Sequence, residues 1–192
     1  MKHSGNRLRY ELQALRSGIS AKDQVAAARS IVRAVVDSVP ATPGLVAGYI
    51  AHGGEIDAVP AMDALRNRGW QVVLPICGDD ASMDFSPWAP EAPLRLNRYG
   101  IGEPAENPVP IESIDVLLVP GVGFDCDGSR IGHGVGFYDR FFARCFEHDH
   151  DPLRLGLAHD VQIVELPEPE PWDVSMHTLI SPSQVIDTTG CA

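Results

Sequence analysis

Residues 114–119 read Ile-Asp-Val-Leu-Leu-Val, an almost unbroken apolar run of strand length, and pass directly into Pro120-Gly121-Val122-Gly123 and a long glycine-rich stretch. A run this short and this apolar is expected to be buried on both faces, as a central strand of a parallel sheet is. Residues 137–146 then have helical period, so the chain reads strand, glycine loop, helix. That order sets a permissive backbone and a helix N-terminus at the carboxyl end of a strand, where open α/β sheets bind their ligands.

The remaining sequence alternates in the same way. Residues 8–36 carry apolar side chains at helical spacing, through Leu8, Leu12 and Leu15 and then Val25, Ala28, Ile31 and Val35. The pattern breaks at Gly18-Ile19-Ser20, where Ser20 can cap a second helix. Residues 45–51 form a short apolar run, 59–68 an amphipathic helix ending before Gly69, and 70–75 a strand expected to stop at Pro75. A short strand at 83–88 is expected inside the Pro- and Gly-rich segment 79–113, and further strands at 153–158 and 174–180. The expected fold is α/β, a single domain over residues 1–192 with an open, mostly parallel sheet flanked by helices and a glycine-rich phosphate loop between a strand and a helix.

Charge narrows the partners. With 26 acidic against 15 basic residues and a net charge of -11, the average surface repels polyanions, so duplex nucleic acid and anionic membrane are excluded as expected partners. An anionic small molecule would need a local site of arginine and backbone N–H groups. The four cysteines Cys77, Cys126, Cys145 and Cys191 are widely spaced with no CxxC pair, and no stretch reaches membrane-spanning length. Reduced thiols and a cytoplasmic location are expected.

Gly132, Gly134 and Gly136 alternate through the loop, Arg130 precedes them, and Phe137 opens the helix. Glycine admits positive φ and close approach of the backbone to a ligand, and successive N–H groups can wrap a phosphate. The loop is neither a Walker A motif, since no GK[ST] follows, nor the dinucleotide pattern GxGxxG. Alone it is as compatible with a structural turn as with a phosphate cradle. His148-Asp149-His150-Asp151 is metal-like by residue type but reads as a solvated loop, and Asp125-Cys126-Asp127-Gly128 lacks EF-hand spacing.

The neighbours of the loop decide between the two. Leu118-Val119-Pro120-Gly121-Val122-Gly123-Phe124-Asp125, then Arg130-Ile131-Gly132-His133-Gly134-Val135-Gly136 and Phe137-Tyr138-Asp139-Arg140, closely resembles the signature of 5-formyltetrahydrofolate cyclo-ligases. Glu55-Ile56-Asp57, Leu74-Pro75, Gly100-Ile101-Gly102-Glu103-Pro104, Leu155-Gly156-Leu157-Ala158 with Gln162, and Asp173 follow in the family's order. The resemblance implies an ATP- and Mg²⁺-dependent enzyme, monomeric, that closes 5-formyltetrahydrofolate, free or polyglutamylated, into 5,10-methenyltetrahydrofolate.

The same resemblance implies the site. Arg130 would act catalytically on the phosphates together with Tyr138, and ATP would be held by Arg9, Arg130, Gly132, His133, Gly134, Gly136 and Phe137. Folate would meet Ile50, Glu55 and Tyr138, and Mg²⁺ would meet Asp139 and Asp173. The chain departs from the pattern at Gly5, where the family carries a lysine, leaving Arg7 or Lys2 as nearby cations. It also departs at His133, Val135, Trp172 and His177. These departures motivate a second reading, a folate- or nucleotide-binding relative without turnover.

Overall fold

The run that ends at Val119 has no polar face to give to water, and in the computed structural model it lies at the centre of the sheet. Residues 2–105 and 107–189 are described, with side chains from residue 5 onward; Cys191 and the Lys2 side chain lie outside them. Helices α1 (Lys2–Ser17) and α2 (Ala21–Ser38) precede β1 (Leu45–Ala47), α3 (Val59–Arg66), β2 (Gln71–Cys77) and β3 (Met83–Pro87). An excursion holds β4 (Arg95–Leu96) and β5 (Gly102–Glu103). Then come β6 (Val116–Pro120), the small hairpin β7 (Gly123–Phe124) and β8 (Arg130–Ile131), and α4 (Phe137–Glu147). The chain closes with β9 (Leu153–Leu157), β10 (Thr178–Ile180) and β11 (Val185–Asp187).

Seven strands make one sheet in the order β11-β10-β9-β6-β1-β2-β3. The five inner strands are parallel and the two edge strands antiparallel to their neighbours. This is the mostly parallel, helix-flanked sheet expected from the sequence. Alternate side chains of a strand face opposite ways. Val116 and Leu118 accordingly join Ile31, Val35, Met62 and Leu65 from α2 and α3, while Leu117 and Val119 join Phe124, Phe141 and Phe142 on the α4 side. From β1 the chain proceeds to β2 on one side, and from β6 to β9 and β10 on the other, so the connection order reverses between β1 and β6. Crevices at such a reversal are where open sheets hold ligands.

Several expected boundaries shift. Strand β1 ends at Ala47 rather than at 51, because after Gly48, whose N–H still reaches the Val73 carbonyl at 2.9 Å, the chain turns away. Strand β2 runs through Pro75 to Cys77. Val73 and Pro75 point to the β1 side, and β1 has already ended there, so the missing N–H of proline removes no ladder bond. The next N–H on that side, Cys77, donates to the Glu103 carboxylate at 2.9 Å. The last inner strand begins at Thr178 rather than at 174. Ser20 does cap α2, accepting from the Asp23 N–H at 3.2 Å. Leu15 and Val25, which share the helical apolar spacing, are exposed. Among the described residues no helix is long and apolar enough to cross a membrane.

Leu118 is 1% exposed in the central strand. Leu118→Ala is expected to lower unfolding stability by about 3 kcal/mol through lost transfer energy and the cavity left behind, whereas Leu15→Ala should change it by less than about 0.5 kcal/mol. Urea denaturation monitored by circular dichroism distinguishes the two.

Candidate functional site

The carboxyl ends of β1 and β6 lie side by side, since the strands pair in parallel, and each is followed by a glycine turn. Beyond β1, Gly53 and Gly54 adopt φ of 58° and 82°, values that side-chain-bearing residues rarely take, and reverse the chain. The reversal brings the Glu55 carboxylate back over the His52 N–H, which donates to Oε2 at 3.0 Å. Glu55 is buried, at 9% exposure, and the Tyr49 hydroxyl donates to the Ile56 carbonyl at 2.8 Å behind it. Burial, with the Glu55 charge adding to it, pushes the Tyr49 phenol well up. Beyond β6, Gly121 has no room for a side chain, because a Cβ there would lie 2.7 Å from the Phe124 ring.

Arg16 joins these two turns. Its guanidinium is 1% exposed; Nε donates to the Gly53 carbonyl at 2.9 Å and Nη1 to the Gly121 carbonyl at 3.0 Å, with Glu55 Oε1 4.0 Å from Nη1. Burial lowers its pKa, and the Glu55 charge works against that. Gln162 supports the same place, its Nε2 donating to the carbonyls of Gly121 at 2.8 Å and Val122 at 3.0 Å. The sequence reading missed Arg16 as a functional residue. Arg9, Leu12 and Arg16 occur at i, i+3 and i+7 and therefore share a helix face, and only a reading that admitted charge to that face would have found it.

The glycine loop closes the other wall. It starts as the β7–β8 hairpin rather than as free loop, which fixes Arg130 on a strand. Arg130 Nη2 donates to Asp139 Oδ1 at 2.7 Å and its guanidinium carbon lies 5.2 Å from the centre of the Tyr138 ring, while its buried Nε has no partner. Gly134 and Gly136 take φ of 96° and 82°. Gly132 is not in the left-handed region; it is small because a Cβ would crowd Arg130 Nη1 at 3.0 Å. Gly136 is the N-cap of α4 and supplies no side-chain cap, so the first-turn N–H groups have no side-chain acceptor from that residue. Around Gly134 a Cβ would meet nothing closer than Arg9 Cζ at 3.9 Å. Arg9 itself donates from Nε to the Gly132 carbonyl at 2.8 Å.

His133, at the loop tip, reaches across the crevice. Its Nε2 lies 3.1 Å from Glu55 Oε1 and its Nδ1 3.3 Å from Gln13 Nε2. Tyr138 is half-buried; burial, then the Glu55 charge, raises its phenol pKa, which sets it electrostatically beside that carboxylate. Phe137 packs edge-on against Tyr99 with ring centres 6.1 Å apart. Ile50 packs partly buried against the core on the α2–α3 side. Arg9, Glu55, Arg130, the loop glycines, His133, Phe137, Tyr138 and Asp139 are therefore linked through the loop and its contacts. Arg7 is turned to Glu11 at 2.8 Å on the exposed side of α1.

The expected metal pair is not brought together by any direct bond. Asp173 accepts the Glu170 N–H at 2.8 Å within its own turn, and no hydrogen bond or ion pair joins it to Asp139. Among the described residues no three His, Cys, Asp or Glu side chains cluster as a metal site. Asp139 alone, a carboxylate beside a loop suited to phosphate, fits a magnesium ion that takes most of its remaining oxygens from phosphate and water. The His148–Asp151 stretch disperses: His148 meets Glu112 at 2.5 Å, His150 meets the Ile114 carbonyl at 2.8 Å, and Asp151 pairs with Arg154. His159, also unanticipated, is buried behind Gly54 with Nε2 unpaired, and burial lowers its pKa.

Comparison with known proteins gives the same direction. The model of the 5-formyltetrahydrofolate cyclo-ligase family matches residues 1–182. The 5-formyltetrahydrofolate cyclo-ligase of Escherichia coli K12 is 34% identical over 145 residues, covering 73% of this chain and 79% of that protein. The protein of the same name from Haemophilus influenzae is 29% identical over 179 residues, covering 90% and 95%. The NMR structure of Aquifex aeolicus 5,10-methenyltetrahydrofolate synthetase superposes with a TM-score of 0.80 at 26% identity, covering 96% of this chain and 93% of that one.

Two outcomes follow from the buried groups. Arg16→Met is expected to destabilise by about 3 kcal/mol, because it leaves the Gly53 carbonyl and Glu55 without their cation, while Arg7→Met on the exposed side stays within about 0.5 kcal/mol. Chemical denaturation measures both. The depressed pKa of His159 means that the unfolded chain takes up the proton first. Its contribution to stability is thus complete above the ordinary histidine value of about 6.5 and is lost as pH falls through the folded value. His159→Asn should flatten the pH dependence of the urea midpoint between about pH 7.5 and about 5.5.

Proposed function

Because the chain belongs to the 5-formyltetrahydrofolate cyclo-ligase family, which its match over residues 1–182 establishes, we propose that it cyclises 5-formyltetrahydrofolate to 5,10-methenyltetrahydrofolate with Mg-ATP, releasing ADP and phosphate. The observation that carries this reading is the 3.1 Å contact of His133 with Glu55. A loop of the kind that holds phosphate and a buried carboxylate of the kind that accepts paired N–H groups thereby meet within one side chain.

The formamide oxygen is a poor leaving group, and ATP supplies its activation by phosphoryl transfer. The residues position and neutralise; no covalent protein nucleophile is required. In this reading Glu55 accepts hydrogen bonds from the pterin, Tyr138 and Ile50 flank the folate, and Tyr138 presents its ring face to Arg130. Arg130 uses its unpaired Nε and its forked nitrogens on phosphate oxygens. Arg9 adds a second cation at Gly132, the N–H groups of residues 132–137 would line the phosphates, and Asp139 would hold Mg²⁺, which would neutralise charge on the phosphate oxygens. Asp173 would offer the metal its Oδ1 while Oδ2 accepts the Glu170 N–H. We further propose that the whole chain is one cyclo-ligase domain, acting as a cytoplasmic monomer on free or polyglutamylated substrate; the free thiols Cys77, Cys126 and Cys145 accord with a reducing compartment.

A second reading, binding without turnover, is motivated by Gly5, which stands where the family carries a lysine, with Arg7 turned to Glu11 in an exposed ion pair. The assay that separates the two mixes protein, Mg-ATP and 5-formyltetrahydrofolate and follows methenyltetrahydrofolate absorbance and phosphate release. Product is expected; binding of both ligands without product would establish the second reading. Within the enzyme, Gly134→Val should weaken ATP binding at least tenfold, as a branched side chain opposes the positive φ, about 1–3 kcal/mol, with the circular dichroism spectrum unchanged. ATP affinity equal to the parent's would remove the loop from the phosphate site.

A further inference from the structure

We infer that His133 is a positioning residue that sets folate affinity by competing with the substrate for Glu55 Oε1, and that Gln13 fixes the ring in the form that does so. The inference rests on Glu55 being the folate carboxylate, as proposed above. Both carboxylate oxygens are already engaged: Oε2 accepts the His52 N–H at 3.0 Å, and Oε1 faces His133 Nε2 at 3.1 Å with Arg16 Nη1 4.0 Å away. The carboxylate is 8% exposed, and His133, 41% exposed, forms its outer cover. Each oxygen can accept a second hydrogen bond, so it is the covering ring that a pterin offering paired donors to this buried carboxylate has to displace.

The hydrogen-bond network assigns the tautomer. The Gln13 amide presents its Nε2 donor to His133 Nδ1 at 3.3 Å, which makes Nδ1 the acceptor and leaves the proton on Nε2, aimed at Glu55. Arg9, one turn before Gln13, holds the Gly132 carbonyl at 2.8 Å, so helix α1 steers the loop tip through both its backbone and its imidazole. The flanking Gly134 holds the tip at φ of 96°, a conformation that side-chain-bearing residues rarely adopt.

Substitution at the two ends of this contact should act in opposite directions, which a residue with only a packing role would not do. His133→Ala removes the competitor and is expected to tighten 5-formyltetrahydrofolate roughly tenfold, the worth of one hydrogen bond to a charged acceptor. Gln13→Glu sets a carboxylate at Nδ1, so that the ring bridges two carboxylates and is held more firmly over Glu55, and folate binding should weaken about tenfold. Isothermal titration calorimetry reads both. Weaker folate binding by His133→Ala, or unchanged binding by Gln13→Glu, overturns the inference. Hydrogen exchange of residues 132–136 without added ligand gives a reading independent of the substrate. It should be about tenfold faster in His133→Ala than in the parent, for the same lost bond. Unchanged exchange likewise overturns the latch. Failure of the parent itself to bind 5-formyltetrahydrofolate would instead count against the cyclo-ligase reading.

Discussion

A buried guanidinium at the end of the first helix is the interaction on which the site depends. Arg16 takes the carbonyl of the turn after β1 and the carbonyl of the turn after β6, and so fixes the spacing of the two strand exits that flank the crevice. A cation removed from water needs hydrogen-bond partners and a counter-charge. Arg16 gives two of its five N–H donors to the carbonyls of Gly53 and Gly121, with the Glu55 charge alongside. Helix α1 is docked by these polar bonds and by Leu12 rather than by a broad apolar stripe, which is why Leu15 stays in solvent.

The consequence is that one helix addresses both the glycine loop and the Glu55 turn. At intervals of three or four residues it presents Arg9 to the loop backbone, Gln13 to the His133 ring and Arg16 to the turn bearing Glu55. Residues at such spacing lie on one face and move as a unit. The glycine loop and the Glu55 turn, far apart in sequence, are therefore set against each other by a third element.

Much of this fold could be read from local pattern. The run at 114–119, the alternation of apolar strands with amphipathic helices, the Ser20 cap and the break at Gly69 depend on burial and on short-range backbone chemistry, and such features survive folding unchanged. The errors have physical causes as well. Pro75 reads as a strand end because proline lacks a donor, yet the neighbouring strand has already stopped on that side, so nothing is lost. Val25 shares the helical apolar spacing but falls just off the buried stripe formed by Ala27, Ala28, Ile31 and Val35.

For the site the division is equally clear. Which groups were available was determined by the sequence itself: a glycine loop with Arg130 before it and Asp139 after it, and Glu55 after the first strand, in the order its family shares. Chemistry-bearing residues keep their identity and local spacing whatever the chain does. What they face was decided only in three dimensions, since the main contacts join elements far apart in sequence, 123 residues from Arg9 to Gly132 and 78 from Glu55 to His133. Arg9 meeting Gly132, His133 covering Glu55 and Asp173 turned to its own loop follow from where α1 and the strand exits come to rest. Those positions are set by the summed packing and hydrogen bonding of the whole sheet, which no short window of sequence contains.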